Sequence, residues 1–324
     1  MILGDNMIFS KQVVESYKNN MYTRCDDTET VHYFSSVDFV GLNKEEYNFK
    51  SSLGHDLKGY IYYYDNYIKD RLIVFDHGFG GGHLAYMKEI EMLCKHGYKV
   101  LAYDHTGCMA SGGATPNGLA QSLCDLNDCV TSIKNNKFLK CLDISVMGHS
   151  WGAFSTLNIT ALHPEISHIV AMCGFVSVND MINTFFPGLL KGYRKAVMAL
   201  ERESNPVFVN YNAIETLSKS NTKALLIYSS DDHLCKKEHY DMLYSNLNDK
   251  ENIKFILEEN KAHNPNYTVE AVKLLNEFVV ARGKLFKNKN LTTEDKEQFK
   301  ASFDWDKMTY QDEKIWNEIF KHLD

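Results

Sequence analysis

The sequence has no apolar run long enough for a membrane-spanning helix, no excess of basic residues and no closely paired cysteines. A spanning helix needs roughly 20 predominantly apolar residues, so none is expected, and Asp5 and Lys11 interrupt the N-terminal apolar stretch, which predicts no signal-peptide core. The 324 residues carry a formal net charge of −7, unlike the basic footprint of nucleic-acid-binding proteins. We therefore expect a cytoplasmic protein without a nucleic-acid partner.

The 8 cysteines are scattered along the chain, and no Cys-x-x-Cys pair occurs. Zinc sites and disulfide frameworks usually show tighter cysteine spacing. Most of these cysteines lie in apolar stretches, so we expect buried free thiols, as is usual in a reducing compartment.

Six short apolar runs alternate with segments of helical spacing. The runs are LIVF (72–75), KVLAY (99–103), LDISVM (142–147), HIVAMC (168–173), ALLIY (224–228) and IKFIL (253–257). Strands that are buried on both faces read as continuous apolar runs, and their alternation with helices is typical of parallel β-α-β units. The sequence therefore predicts an α/β protein with a doubly wound, mostly parallel sheet, whose ligand site lies at the carboxyl ends of the strands.

Two segments break the alternation. Residues 176–221 carry apolar side chains at roughly helical spacing, and we interpret them as a helical cap over the strand ends. Residues 284–324 follow the last sheet helix, and the apolar face from Ile315 to Leu323 predicts a helical extension that docks on the core. The predicted organisation is an N-terminal extension (1–40), a core in two parts (41–175 and 222–283), the cap (176–221) and a C-terminal extension (284–324).

The motif Gly148-His149-Ser150-Trp151-Gly152 follows the third apolar run and precedes a helical stretch. A Gly-x-Ser-x-Gly motif between a strand and a helix is typical of a nucleophile elbow, in which small residues flank a serine that projects above the sheet. The Trp151 N–H could then donate to an oxyanion. A chance glycine turn is the alternative interpretation, and the strand and helix on either side disfavour it.

A glycine-rich loop, residues 77–83, directly follows the first run. Glycines let the backbone approach a substrate carbonyl closely, and we expect the Phe79 N–H to be the second oxyanion donor. Gly78 and His77 are candidate substrate-site residues, with His77 shaping the loop rather than acting as a base. A phosphate-binding loop is the alternative, but the spacing matches neither common nucleotide motif.

The candidate acid and base follow the fifth and sixth runs. Asp232 is preferred as the carboxylate that orients the base, the adjacent Asp231 is the alternative, and Asp180, after the fourth run, is a third candidate. His263 lies in the loop after the sixth run. The order Ser150, Asp232, His263 is the one expected for hydrolases built on such a sheet.

Together these residues resemble the α/β-hydrolase superfamily over about residues 45–283, and most closely its branch of small esterases, monoacylglycerol-lipase-like enzymes and serine aminopeptidase-like proteins. The run FKSSLGHDLKGYIYY resembles the first hairpin of that branch, and DHGFGGG its oxyanion loop. The segment 104–111 resembles its Asp-x-Arg-Gly-x-Gly-x-Ser motif, although Thr106 and Met109 replace the arginine and the second glycine. The resemblance implies an eight-stranded sheet with a cap between strands six and seven. Ser150 argues against the dehalogenase and epoxide-hydrolase branches, which carry aspartate at the elbow.

These features predict hydrolysis of a small-molecule carboxylic ester, thioester or small amide through an acyl-enzyme, without a metal or organic cofactor. A carboxylesterase or lipase-like activity is favoured over a peptidase, because Phe185, Phe186 and Leu189 could form an apolar acyl pocket. Ordinary packing of the cap is an equally good interpretation of these three side chains. Acyl transfer or lyase chemistry on the same triad, and a ligand-binding protein with negligible turnover, are the alternatives.

Overall fold

A computed structural model of the chain describes residues 2–68 and 70–324, with side chains from residue 11 onward. The strands in this part are β1 (Asn43–Glu46), β2 (Phe49–Lys50), β3 (Asp56–Leu57), β4 (Gly59–Tyr63), β5 (Arg71–Asp76), β6 (Lys99–Tyr103), β7 (Asp143–His149), β8 (His168–Met172), β9 (Lys223–Ser229) and β10 (Ile253–Glu258). The α-helices are α1 (Ile2–Met21), α2 (Met87–Lys95), α3 (Gln121–Asn135), α4 (Trp151–Asn158), α5 (Val178–Phe185), α6 (Arg194–Ser204), α7 (Ala213–Lys219), α8 (Lys237–Leu247), α9 (Val269–Leu285), α10 (Thr293–Ala301), α11 (Trp305–Met308) and α12 (Glu313–Leu323). Of the helices described, none has the length and apolar character needed to cross a membrane.

Eight of the described strands form one sheet in the order β1-β4-β6-β5-β7-β8-β9-β10. Strand β4 runs antiparallel to its neighbours β1 and β6, and the pairs from β6 through β10 are parallel. Strands β5 to β10 occupy the six apolar runs, so the predicted α/β class and mostly parallel sheet are confirmed. The carboxyl ends of the parallel strands meet at one edge, where the predicted site residues follow β5, β7, β9 and β10.

Helices cover both faces of the sheet, which explains why the strand runs are continuously apolar. Along β5, Leu72 and Val74 pack in the hydrophobic cluster on the side of α3 and α4. Ile73 and Phe75 pack in the cluster on the side of α2 and α12. Successive side chains of a strand point to opposite faces, so each face has its own core.

The predicted C-terminal helical extension is present and docks on the sheet. Helix α12 contributes four fully buried side chains to the second cluster: Ile315, Trp316, Ile319 and Leu323. Full burial of such a side chain contributes roughly 1.5–3 kcal/mol, so this helix is an integral part of the core.

Helices α5, α6 and α7 lie in the segment predicted as a cap, between β8 and β9. The buried carboxylate of Glu201 on α6 accepts hydrogen bonds from the hydroxyls of Tyr17 and Tyr22, at 2.8 and 2.9 Å. It also accepts the N–H of Leu119 at 2.8 Å. A buried carboxylate needs such partners, and here they join the N-terminal helix α1 and the core to the cap segment.

Candidate active site

The elbow, residues 148–152, is a turn that requires glycine on both sides of the serine. Ser150 lies between β7 and α4 with φ of +57°. A Cβ atom on Gly152 would lie 2.1 Å from the carbonyl oxygen of Asp76, and one on Gly148 would lie 2.3 Å from that of Gly152. The Ser150 N–H donates to the carbonyl of Met172 at 2.8 Å, which ties the turn to the neighbouring strand. The backbone around Ser150 is therefore fixed by close packing.

The two predicted oxyanion donors are the backbone N–H groups of Trp151, in the elbow, and Phe79, in the adjacent loop. Trp151 is the first residue of α4, where the N–H has no partner within the helix. Phe79 lies in the glycine-rich loop, and its ring packs against the Trp151 ring at a centroid distance of 5.1 Å. In the part of the chain that is described, neither N–H has an intramolecular acceptor. A Cβ on Gly78 would lie 3.3 Å from that of Ser150, so the loop passes directly beside the serine.

His263 and Asp232 form a hydrogen-bonded pair at the same edge of the sheet. Nδ1 of His263 lies 2.6 Å from Oδ2 of Asp232. The carboxylate is buried, and its other oxygen accepts the N–H groups of Leu234 and Cys235 at 2.7 and 3.1 Å. Because the carboxylate is an acceptor, this contact places a proton on Nδ1 and leaves Nε2 for proton exchange.

Asp231 has a different set of partners. Its carboxylate accepts the hydroxyl of Ser229 at 2.6 Å and the N–H groups of Lys261 and Ala262, both at 3.2 Å. Burial opposes its charge, but these hydrogen bonds hold the pKa of Asp231 below its usual value. Asp231 thus braces the backbone just before His263, whereas Asp232 contacts the ring.

His149 joins the glycine-rich loop to the loop that carries His263, residues 260–268. The Gly78 N–H donates to Tyr86 Oη at 3.1 Å, Tyr86 Oη lies 2.8 Å from His149 Nδ1, and His149 Nε2 lies 2.6 Å from the carbonyl of His263. Burial and the neighbouring His263 lower the pKa of His149 to about 3. A neutral imidazole accepts at one nitrogen and donates at the other, which matches this chain of bonds. As the variable residue of the elbow motif, His149 gives no local signal for this contact, because its partner lies 114 positions away.

The C-terminal extension holds the other side of the His263 loop. The buried ammonium of Lys261 contacts both the carboxylate of Asp312 and the carbonyl of Tyr267. The N–H of Asp312 donates to the carbonyl of Asn266 at 2.8 Å. These contacts enclose His263 between two anchored positions of its loop.

A buried ionic group supports the start of the glycine-rich loop. His105 lies 2.9 Å from Asp76 and 3.2 Å from Asp125. Burial opposes its charge, but the two carboxylates raise the pKa of His105 to about 9. The N–H of His105 donates to Nε2 of His77 at 3.0 Å, and burial lowers the pKa of His77 to about 3. His77 is fully buried, so it supports the loop from below rather than facing the space above Ser150.

The donor atoms of Cys173, Asp232 and His263 lie within 4.8 Å of one another. A thiol, a carboxylate and an imidazole are a possible ligand set for zinc. However, both carboxylate oxygens of Asp232 already accept hydrogen bonds, one from the His263 ring and the other from the N–H groups of Leu234 and Cys235. We therefore treat Cys173 as packing against the carboxylate. A second such group is formed by Cys124, Asp125 and Asp128, and in it Asp125 already pairs with His105.

The remaining predicted site residues are spread over the cap segment. Phe185 is half-buried and Phe186 is buried, with the Phe186 ring 6.1 Å from that of Tyr17. Leu189 is 99 % exposed, so it does not line an enclosed pocket. Asp180 accepts the hydroxyl of Ser177, the N-cap residue of α5, at 2.5 Å, so the described contacts of this third candidate acid are at the start of that helix and not with His263.

Comparisons with known proteins agree with this architecture. The family model described as serine aminopeptidase, S33, matches residues 68–214. The uncharacterized protein YqkD of Bacillus subtilis is 26 % identical over 250 residues, which are 71 % of this chain and 76 % of that protein. The esterase Pf2001 of Pyrococcus furiosus superposes with a TM-score of 0.58 at 22 % identity, covering 79 % of this chain and 96 % of the esterase. The esterase EaEST of Exiguobacterium antarcticum gives a TM-score of 0.51 at 14 % identity, covering 74 % and 100 %. At these identities the two structures establish a shared fold.

Proposed function

We propose that this chain is a serine hydrolase that cleaves a carboxylic ester, or a related thioester or small amide. The α/β-hydrolase fold and the match of residues 68–214 to the serine aminopeptidase family model support a hydrolase. The observation that carries the proposal is the 2.6 Å bond between His263 and the buried Asp232, on a loop that His149 joins to the elbow of Ser150. A base, an orienting carboxylate and a serine in a tight strand-to-helix turn are the parts that nucleophilic acyl chemistry requires.

In the proposed reaction, Ser150 Oγ attacks the substrate carbonyl while Nε2 of His263 takes its proton. Asp232 stabilises the imidazolium that forms, and the N–H groups of Phe79 and Trp151 bind the oxyanion. His263 then returns the proton to the leaving alcohol, and water repeats the sequence on the acyl-enzyme to release the acid. Among the described contacts Ser150 Oγ and His263 are not hydrogen-bonded, and such bonds often tighten only when substrate binds.

An ester is favoured over a charged peptide because the cap segment contributes Phe185 and Phe186, which pack in the same hydrophobic cluster as Phe79. The names of the two esterases that share the fold agree with this substrate class. The proposed steps use only groups of this chain and water. With Leu189 fully exposed, the proposed acyl pocket includes the two phenylalanines and not the leucine.

The proposal is tested with a fluorophosphonate probe and a panel of esters of graded acyl length. The wild-type protein should gain one adduct by intact mass, and Ser150→Ala should lose both the adduct and ester hydrolysis. Ser218→Ala, which alters an exposed serine of α7, is the matched control and should behave as wild type. An adduct that survives in Ser150→Ala would contradict the assignment, and a wild-type protein that does not react would favour the ligand-binding alternative.

A further inference from the structure

A cleft of about 280 Å³ lies behind the glycine-rich loop, and we call it the Arg282 cleft. Its walls come from residues 31–34 of the N-terminal extension, the loop residues 78–81, helix α9 and helix α11. Small-molecule sites usually span ~300–1,000 Å³, so this cleft is near the lower limit. Of the described residues that line it, none is Ser150 or His263. The cleft therefore lies apart from the candidate nucleophile and base but shares the loop that carries Phe79, the proposed oxyanion donor.

The walls of the Arg282 cleft are largely aromatic. Phe278 and Trp305 contact each other edge to face at a centroid distance of 5.1 Å, and His32 lies 6.2 Å from Trp305. Phe34 and Phe79 also line the cleft. Such walls suit a flat or apolar ligand body, with a few polar groups to orient it.

Arg282 provides a positive charge at this cleft. Its Nη2 donates to the hydroxyl of Thr28 at 2.9 Å, whereas its Nε is buried without an acceptor. Within the described part of the chain this half-buried side chain forms no ion pair, and its guanidinium carbon lies 5.4 Å from the centre of the Phe286 ring. The guanidinium thus has unused donors in a fork that matches a carboxylate.

The other charged groups that line the cleft already have partners. Lys88 pairs with Asp306 at 2.5 Å and lies 4.3 Å from the centre of the Phe34 ring. Asp26 pairs with Arg24 at 2.7 Å. The charge of Arg282 is therefore the one left for a ligand among the described groups of the cleft.

We infer that the Arg282 cleft binds a small carboxylate with an aromatic or apolar body. The carboxylate is recognised by Arg282, and the body lies against the aromatic wall of Phe278 and Trp305. Because residues 78–81 form the opposite wall, the bound acid contacts the loop of the proposed oxyanion donor and alters turnover. The effect on turnover rests on the proposed function, whose acid product belongs to this class of ligand. The binding of the acid in the cleft does not rest on it.

The test uses 3-phenylpropionate as probe and the neutral 3-phenylpropionamide as its matched control, on full-length Ser150→Ala protein. Binding is measured by calorimetry and by tryptophan fluorescence, which Trp305 should report. We expect the acid to bind at least tenfold more tightly than the amide. Arg282→Gln should remove that difference and Arg282→Lys should keep part of it, while Arg202→Gln, at an exposed site on α6, should change nothing.

Three results would overturn the inference: equal affinity for acid and amide, unchanged acid affinity in Arg282→Gln, or loss of acid binding when Ser150 of the wild-type protein is blocked by a fluorophosphonate. The last result would put the acid at the serine instead. If Arg282→Gln does not fold, Trp305→Phe decides, because it should abolish the fluorescence change while calorimetry still detects binding. Absence of probe labelling at Ser150 would refute the proposed hydrolase alone and would leave the binding result standing.

Discussion

The turn that carries Ser150 and the loop that carries His263 lie at the same edge of the sheet, but they are held in different ways. The elbow is held by steric contacts within the core, where Gly148 and Gly152 leave no room for a Cβ atom. The His263 loop is held by polar contacts, from Asp231 on one side and from Asp312 of the C-terminal extension on the other. The glycines that the first arrangement requires lie within one five-residue motif, although Gly152 packs against the carbonyl of Asp76. The second arrangement depends on side chains supplied by other segments of the chain.

This difference has an energetic consequence. Backbone clashes cannot be relieved by rotating a side chain, so the elbow should tolerate no substitution at its glycines. A hydrogen-bonded loop loses its anchors one at a time, so substitutions there should have graded effects. The following predictions test that contrast, from the largest expected effect to the smallest.

Gly152→Ala should have the largest effect, because its Cβ would lie 2.1 Å from the carbonyl oxygen of Asp76. Overpacking in a core typically costs about 1–3 kcal/mol and occasionally more, and here the obstacle is backbone. We expect little or no native protein, measured by urea unfolding and by solubility. Gly283→Ala is the matched control: nothing lies within 4 Å of a Cβ at that helical position, and alanine should stabilise it by about 0.5–1 kcal/mol. Similar stabilities for the two variants would refute the steric argument.

The same contrast explains what could be predicted from the sequence. The six strand runs, the docking face of α12 and the elbow are local patterns, because burial and turn geometry dictate residue types within a few positions. The preference for Asp232 over Asp231 rested on spacing alone, since adjacent carboxylates are distinguished only by the direction in which the folded chain points each of them. The contact of His149 with His263 spans 114 positions and that of Lys261 with Asp312 spans 51. No local pattern reports such contacts, because they arise only when the sheet is assembled.

Asp232→Asn should reduce kcat for an ester far more than Asp231→Asn, because of these two carboxylates only Asp232 is hydrogen-bonded to the His263 ring. Loss of the corresponding carboxylate in a serine-protease triad lowers kcat about 10⁴-fold, and we expect a loss on the order of 10³- to 10⁴-fold here. Asp231→Asn should cost less than about tenfold and should mainly lower the free energy of unfolding, because an amide oxygen can still accept some of its N–H bonds. A larger kcat loss at Asp231 would exchange the two roles.

Asp312→Asn should weaken the anchor of the His263 loop and leave the charge of Lys261 buried. Breaking a buried ion pair costs about 3–5 kcal/mol, and we expect roughly half of that because Asp312 is partly exposed. The exposed pair Lys237–Asp241 supplies the control, since Asp241→Asn should cost less than about 1 kcal/mol. Equal costs, measured by urea unfolding at pH 7, would show that the extension does not anchor the loop.

The pH dependence sharpens that prediction. Burial opposes the charge of Asp312, but Lys261 lowers its pKa below the usual value. A carboxyl group whose pKa is lower in the folded protein stabilises the fold at pH values above its unfolded pKa of about 3.9. This contribution is lost as the pH falls further, through the folded pKa. The cost of Asp312→Asn should therefore shrink on acidification below about pH 4. Since the loop carries His263, Asp312→Asn should also lower kcat at pH 7, together with the free energy of unfolding.

His149→Gln should have the smallest effect, and one that depends on pH. The folded pKa of His149 is about 3, against about 6.5 for an unfolded histidine. Between these values the unfolded chain binds a proton that the folded protein does not, so the wild type should lose stability by up to about 1.4 kcal/mol per pH unit as the pH falls. His149→Gln should lack this contribution to the pH dependence of the free energy of unfolding, measured by urea unfolding between pH 6.5 and pH 5.

His322 provides the matched control. Burial lowers its pKa to about 4, and it contacts the carbonyl of Ile169 at 3.2 Å. His322→Gln should flatten the slope in the same way but leave kcat unchanged, whereas His149→Gln should also lower kcat because it releases the carbonyl of His263. Equal kcat values for the two variants would mean that His149 titrates in the core without positioning the base.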